Sequence, residues 1–361
     1  MGAIIADDLS SFSGEKREAV VLPSLLRLWP EILQDLLQPE NTDRSSTDRF
    51  FRRWTFNFFG KILEKNTLPL IRSLHSEHHG CLFCGAGPGL LDDLKPIQKN
   101  LHKMLIISSD TALAPLLANQ IVPDLILSID AGRGTEYHFS AAQKLKKIPF
   151  PSSIPVLSWL PGPSVLDDFF SDIIYYPSSF PFDQVLCEYA KLDFWENPSR
   201  NLAGLALILA GLAGFASLYT AGADFKAKNQ QSHIRGSGYT YYALQRVNRT
   251  CSLEMYRPGG YSDRLTQKNK TALEGLMDLS VKLGIKVLPL SEGHAPKLKE
   301  TLTEPKIQIT AEKIKQKELI QFFLKHWNHF PFSMMGMEFG GKFFQLKNKI
   351  RALLESSAQE N

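Results

Sequence analysis

From Cys81 onward, short apolar runs alternate with stretches whose apolar residues recur at helical spacing, which confines the chain to helices wrapped around a mostly parallel sheet. The pattern predicts strands near 81–84, 104–108, 125–129, 155–159, 172–175, 216–221 and 285–289. It predicts helices at 90–100, 111–119, 135–146, 181–191, 200–213, 235–246 and 265–283. The expected fold is a Rossmann-like, doubly wound α/β sheet over 76–297. Residues 1–75 lack strand patterns and read as a helical N-terminal extension, with Leu25, Leu28, Trp29, Ile32 and Leu36 on one stripe and Phe50, Phe51, Trp54, Phe58 and Phe59 on another. Residues 298–361 read as a helical C-terminal cap bearing Phe322, Phe323, Trp327, Phe330 and Phe332, with an oligomer contact as its other use.

A chain of 361 residues is long enough to bury a large core. Its 41 basic and 37 acidic residues leave a net charge of +4, too small to direct the protein to nucleic acid. The basic stretch Lys313–Lys317 reads as a solvated helix face. No apolar stretch reaches the roughly 20 residues that span a bilayer, and Leu202–Leu218, rich in Ala and Gly, reads as a buried helix. Cys81, Cys84, Cys187 and Cys251 follow no signal peptide and form one CxxC, which points to a reducing cytoplasm. Within the run Cys81-Leu82-Phe83-Cys84 the two thiols read as small hydrophobes of a buried strand rather than as a redox pair or half a zinc site.

Three segments carry chemistry. In the first, Gly85, Ala86, Gly87, Pro88 and Gly89 lie between a strand and a helix. Such a turn frees the backbone for close approach and offers helix N–H groups to a phosphate; a purely structural turn is the alternative. In the second, Ser108, Ser109 and Asp110 end one strand and Asp130 ends the next, at the carboxyl edge where open α/β sheets bind ligands. Capping of a helix or turn is the alternative for either aspartate. In the third, Gly222 and Asp224 end a strand and lead to Ser232 and His233 in a polar loop. A loop histidine titrates near neutrality and can act as a general base; a plain surface histidine is the alternative.

Taken together, GAGPGLLDDL, SSDTALAPLLANQIVPDLILSIDAG, LYTAGADF and SHIRGSG resemble the MptE-like family, also known as the motility-associated factor (Maf) group, over roughly residues 80–240. That family is similar in fold to the bacterial sialyltransferases. The resemblance implies that Gly85, Ala86, Gly87, Pro88 and Gly89 contact a cytidine-nucleotide donor. Ser108, Ser109, Asp110, Asp130, Gly222, Asp224 and Ser232 would line the donor pocket, and His233 would deprotonate the acceptor. Position 89 is Gly where the sialyltransferase turn carries Ser, and Ala86 stands where that turn often has Asn.

By the same resemblance, Maf members move nonulosonic acids from CMP conjugates to Ser or Thr of flagellin in the cytoplasm. A nucleotide-sugar donor and a protein acceptor are then the partners, and no further cofactor is required. Archaeal members resemble diphosphokinases that move pyrophosphate from ATP to 6-hydroxymethyl-dihydropterin. That chemistry needs Mg²⁺ held by carboxylates, for which Asp110, Asp124 and Asp130 are the candidates. A non-catalytic flagellin-binding protein or chaperone is the third reading.

Overall fold

The computed structural model describes residues 44–130, 132, 134–145, 150–228, 231–244, 267–296, 298, 305–326 and 341–359. The Leu25–Leu36 stripe, Trp327, Phe330, Phe332 and Cys251 lie outside them. By their contacts the residues divide into two units, one of 1–70, 177–195 and 312–361 and the other of 71–176 and 196–311.

The second unit holds the parallel strands β2 (Gly80–Cys84), β3 (Met104–Ser109), β4 (Leu125–Ser128), β5 (Val156–Trp159), β6 (Ile173–Tyr176), β7 (Ser217–Ala221) and β8 (Lys286–Pro289). With β1 (Thr67–Ser76) and β9 (Ile307–Lys315) they form one sheet in the order β8-β7-β2-β3-β4-β5-β6-β1-β9. Every pair from β8 through β6 is parallel. The fold is therefore the Rossmann-like α/β fold. Residues of β2 to β6 are buried throughout, as expected of strands covered on both faces, and this makes them continuous apolar runs rather than alternating ones.

Helices connect these strands. They are α2 (Leu90–Leu94), continued by a 3-10 helix Lys95–Lys103, then α3 (Leu113–Ala118), α4 (Gly134–Gln143), α6 (Leu202–Leu212), α7 (Gly238–Leu244) and α8 (Gln267–Leu283). Local chemistry sets their ends. The Asn201 side chain accepts from the Gly204 N–H to cap α6, and Gly284 at φ 68° closes α8 in the left-handed conformation glycine tolerates. Under the carboxyl edge, Leu82, Cys84, Leu90, Leu94, Ile106 and Ile234 pack into one core cluster.

The first unit contains α1 (Arg44–Glu64), α5 (Pro181–Ala190), α9 (Gln316–Lys325) and α10 (Gly341–Gln359). Phe58 is its hub, with ring centroids 5.2 Å from Phe59, 5.5 Å from Phe182 and 5.8 Å from Phe323. Phe58→Ala empties a fully buried ring site and is expected to lower stability by about 3–5 kcal/mol, measured by denaturant unfolding.

Two strands appear where helix was expected, β1 at the end of the N-terminal stretch and β9 in the C-terminal stretch. Lys313 and Lys315 accordingly sit on β9 rather than on a helix face, and only Lys317 is helical. In β1 Leu68, Leu70, Ile71 and Leu74 are buried, and the exposed Arg72 interrupts the alternation. Among the described residues no helix is long and apolar enough to cross a membrane.

Cys81 and Cys84 occupy β2, three positions apart, so their side chains point to opposite sheet faces. Burial pushes both thiols well above their ordinary range, so neither supplies a thiolate at neutral pH. The small-hydrophobe reading describes them.

Candidate functional site

In sequence order β2, β3, β4, β5 and β6 build the sheet outward in one direction, and β7 and β8 then add on the other side of β2. The direction of building reverses between β2 and β7, which is where an open α/β sheet normally opens a crevice at its carboxyl edge. The glycine turn after β2 and the Gly222–Asp224 segment after β7 meet at that point.

They meet in direct contact. Gly85 N–H donates to the Ala221 carbonyl at 2.8 Å, and Gly87 N–H to the Gly222 carbonyl at 2.7 Å. Gly89 N–H donates to Asp224 Oδ2 at 3.0 Å, while Gly222 N–H donates back to Asp93 Oδ2 at 2.9 Å. Pro88 has no N–H to offer. The expectation that the amides of three glycines stand ready for a phosphate is thus corrected: each already has a partner, and the Asp224 carboxylate holds the one at the mouth of α2. Glycine is required at position 87 because a Cβ there would stand 2.5 Å from the Gly222 carbonyl oxygen. The close approach is of one loop to another.

Burial raises the Asp93 carboxyl above the ordinary carboxylate range; the neighbouring Asp224 adds to this, and the Gly222 N–H opposes it. The turn also holds the histidine loop. Ile234 N–H donates to the Ala86 carbonyl at 2.8 Å, and the Ile234 side chain is buried in the cluster beneath. Residue 233 is therefore fixed from the turn side by one backbone bond and one apolar anchor.

His233 is half-buried, with Ser232 Oγ 2.9 Å from its Nδ1 and its ring stacked on Tyr239 at a centroid distance of 4.2 Å. Desolvation drives its pKa down to about 4, and the nearby His138 contributes. Titration near neutrality, expected of a loop histidine, is not what this environment permits; the ring is uncharged at pH 7, with a lone pair available.

The β3 and β4 edges supply an internal network. Ser108 Oγ donates to the Ser109 carbonyl, and Ser109 Oγ accepts from Ala112 N–H, capping the 3-10 helix Asp110–Ala112. Asp110 is buried and accepts from Thr111 N–H at 2.6 Å, Thr111 Oγ1 at 2.9 Å and Ser128 Oγ at 2.9 Å. Thr111 Oγ1 lies 3.3 Å from Nε2 of His138 on α4. Asp130 is exposed and accepts from Gly132 N–H at 2.9 Å, the turn geometry anticipated as its alternative.

Asp124 stands elsewhere. It precedes β4, accepts from Ile106 N–H at 2.7 Å and faces His78 at 3.8 Å, at the amino edge of the sheet. Burial raises its carboxyl and lowers the His78 imidazole, each opposed by the other's charge. Asp110, Asp124 and Asp130 do not converge, and no group of three or more His, Cys, Asp or Glu among the described residues is arranged to hold a metal ion. The carboxylates that the diphosphokinase alternative would use are therefore spread over both edges of the sheet.

His138, Thr111, Asp93 and Tyr239 are the contributors that sequence reasoning passed over. Thr111 lies beside Asp110 in a segment already singled out, so adjacency was the one available signal. His138 sits in the middle of a helix, and nothing local ties it to a loop from beyond β7.

No curated protein matches the chain. The solved structure of a MAf glycosyltransferase from Magnetospirillum magneticum AMB-1 is similar at 20% identity and a TM-score of 0.48, over 69% of this chain. The chain spans 39% of that protein's length. The family model described as "6-hydroxymethylpterin diphosphokinase MptE-like" matches residues 57–230, which include β2 through β7, the glycine turn and Asp224. Over these residues, slightly under half of its length, the chain is similar to the MptE-like family.

Proposed function

We propose that the protein is a glycosyltransferase of the motility-associated factor type. It transfers a sialic-acid-like nonulosonic sugar from a CMP-activated donor to a protein hydroxyl such as Ser or Thr of flagellin, in the cytoplasm. The observation that carries this reading is the uncharged His233, braced by Ser232 and Tyr239 beside the carboxyl edge of the parallel sheet. An imidazole kept neutral can take the proton of an acceptor hydroxyl as its oxygen bonds to the anomeric carbon. The bond from that carbon to the CMP phosphate oxygen breaks, CMP departs, and the proton passes from the imidazole to solvent. Since the glycine amides are paired internally, the donor phosphate either displaces Asp224 or lies toward Asp130 and Ser232, whose side chains are at least partly accessible.

The family description favours a second reading, pyrophosphoryl transfer from ATP to 6-hydroxymethyl-dihydropterin with release of AMP. Against it stands the location of Asp124 at the opposite edge from Asp110 and Asp130. The paired glycine amides favour a third reading, a flagellin-binding protein without catalysis.

One assay separates the three. The purified chain is supplied with CMP-nonulosonic acid and unglycosylated flagellin, or with ATP, Mg²⁺ and the pterin, and products are followed by mass spectrometry. CMP release matched by a glycan mass on flagellin is expected. AMP and a pyrophosphorylated pterin would replace this reading with the kinase, and neither product, with flagellin bound, would leave a binding protein.

A further inference from the structure

We propose that Asp110 and Thr111 lock His138 in the tautomer that carries its proton on Nε2, and that the ring so locked is the positioning residue on which the His233 segment is seated. The second half rests on His233 being the base of the proposed reaction; the first half does not.

The hydrogen bonds determine the direction of the chain. Asp110 Oδ1 receives the hydroxyl proton of Thr111, so Thr111 Oγ1 has only lone pairs to present to the ring 3.3 Å away. His138 Nε2 must then be the donor, and in a neutral imidazole Nδ1 is left as an acceptor. Ser128, donating to Oδ2 from the end of β4, fixes the carboxylate from its other side. The carboxylate thereby orients an imidazole through one intervening hydroxyl.

The locked ring meets the loop at Gly238. A Cβ on Gly238 would stand 2.5 Å from both the backbone nitrogen and Nδ1 of His138, so glycine alone lets the start of α7 rest against it. His138 is 9% exposed, and its Nδ1 has no hydrogen-bond partner; the fully buried Ser237 Oγ, one residue before Gly238, has none either. Two unpaired buried polar atoms at one contact are unfavourable for stability, each by about 1–3 kcal/mol, so this contact is a poor stabilising device. It is a good geometric one. The Ala86 carbonyl holds residue 234 and His138 on α4 stops residue 238, so His233 and Tyr239, each one residue outside these fixed points, are held at the spacing at which their rings stack.

The test is long-range ¹H–¹⁵N NMR of the full chain labelled at histidine nitrogens, with His138→Gln and His233→Gln used for assignment. At neutral pH His138 is expected to show a protonated Nε2 and a bare Nδ1. Thr111→Val keeps the shape but removes the acceptor, so His138 should become a mixture of tautomers. The titration midpoint of His233 should then rise from about 4 toward 6.5. Thr111→Ser restores the acceptor and is expected to return both signatures, which a purely structural role for Thr111 would not require. If Thr111→Val fails to fold, Gly238→Ala reaches the same contact from the loop side and should disturb both histidines.

In the transfer assay Thr111→Val should lower kcat on the order of 10- to 100-fold with KM changed by less than about twofold, as for a misplaced base. A proton on Nδ1 of His138, or histidine signals unmoved in Thr111→Val and Gly238→Ala, overturns the proposal. The NMR measurement uses neither donor nor acceptor. Absence of transfer with the expected tautomer present would therefore reject the reaction and not the lock.

Discussion

His233→Ala is expected to lower the rate of sugar transfer by about 10²- to 10⁴-fold, the range over which a positioned general base contributes, while the far-UV circular dichroism spectrum stays that of the parent. The ring rests on Tyr239 and on the end of the loop, whereas the anchor of the segment is Ile234, whose buried side chain and bond to Ala86 the substitution leaves in place. Unaltered glycan occupancy on flagellin in this variant would remove His233 from the mechanism.

The acidity of the same ring makes a second measurement. With a pKa of about 4 in the native state, the acidic limb of kcat/KM should fall near pH 4 rather than near the ordinary 6.5. Stability follows the matching rule. The native pKa is below the unfolded value, so below pH 6.5 the unfolded chain binds more protons, and the stabilisation from the neutral ring is complete above 6.5 and drains away as pH falls toward 4. The amount is on the order of 3 kcal/mol, and His233→Gln should flatten that part of the stability profile.

Gly87→Ala is expected to be the most damaging change at the glycine turn. Its Cβ would press on the Gly222 carbonyl oxygen and on the Asp224 carboxylate, both held in place by bonds to the turn itself. The Gly222–Asp224 segment must move, and the histidine loop that follows it moves with it. Overpacking of this kind costs about 1–3 kcal/mol, and displacement of the base by an ångström lowers kcat on the order of 10²-fold. Thermal unfolding and steady-state kinetics read the two effects separately. Gly134→Ala, with open space around the site, is the matched comparison and should change stability by less than about 0.5 kcal/mol.

Much of the fold is legible along the chain. The strands β2 through β6 are covered on both faces, and full burial writes itself as runs such as Met104-Leu105-Ile106-Ile107 that no amphipathic helix would carry. Their helices show the complementary period, and chain order alone predicted a doubly wound sheet. β9 was equally legible in kind, since Ile307, Ile309 and Ala311 alternate with polar residues, but the neighbouring helical pattern drew the reading away from it. β1 was not, because the exposed Arg72 and the consecutive buried pair Leu70 and Ile71 break the alternation.

The sequence by itself determined which residues end up at the carboxyl edge: the glycine turn, Ser109, Asp110, Asp130, Gly222 and Asp224 all follow strands that run the same way. Only the tertiary structure decided what they do there. Gly89 and Asp224 are separated by 135 positions, and the carboxylate satisfies an amide that the local pattern offered to a phosphate. His138 and Gly238 lie on helices from opposite sides of the switch in strand order. Periodicity encodes which face of an element is buried; it does not encode which distant backbone will press against that face, because that choice is made by packing among elements once they have formed.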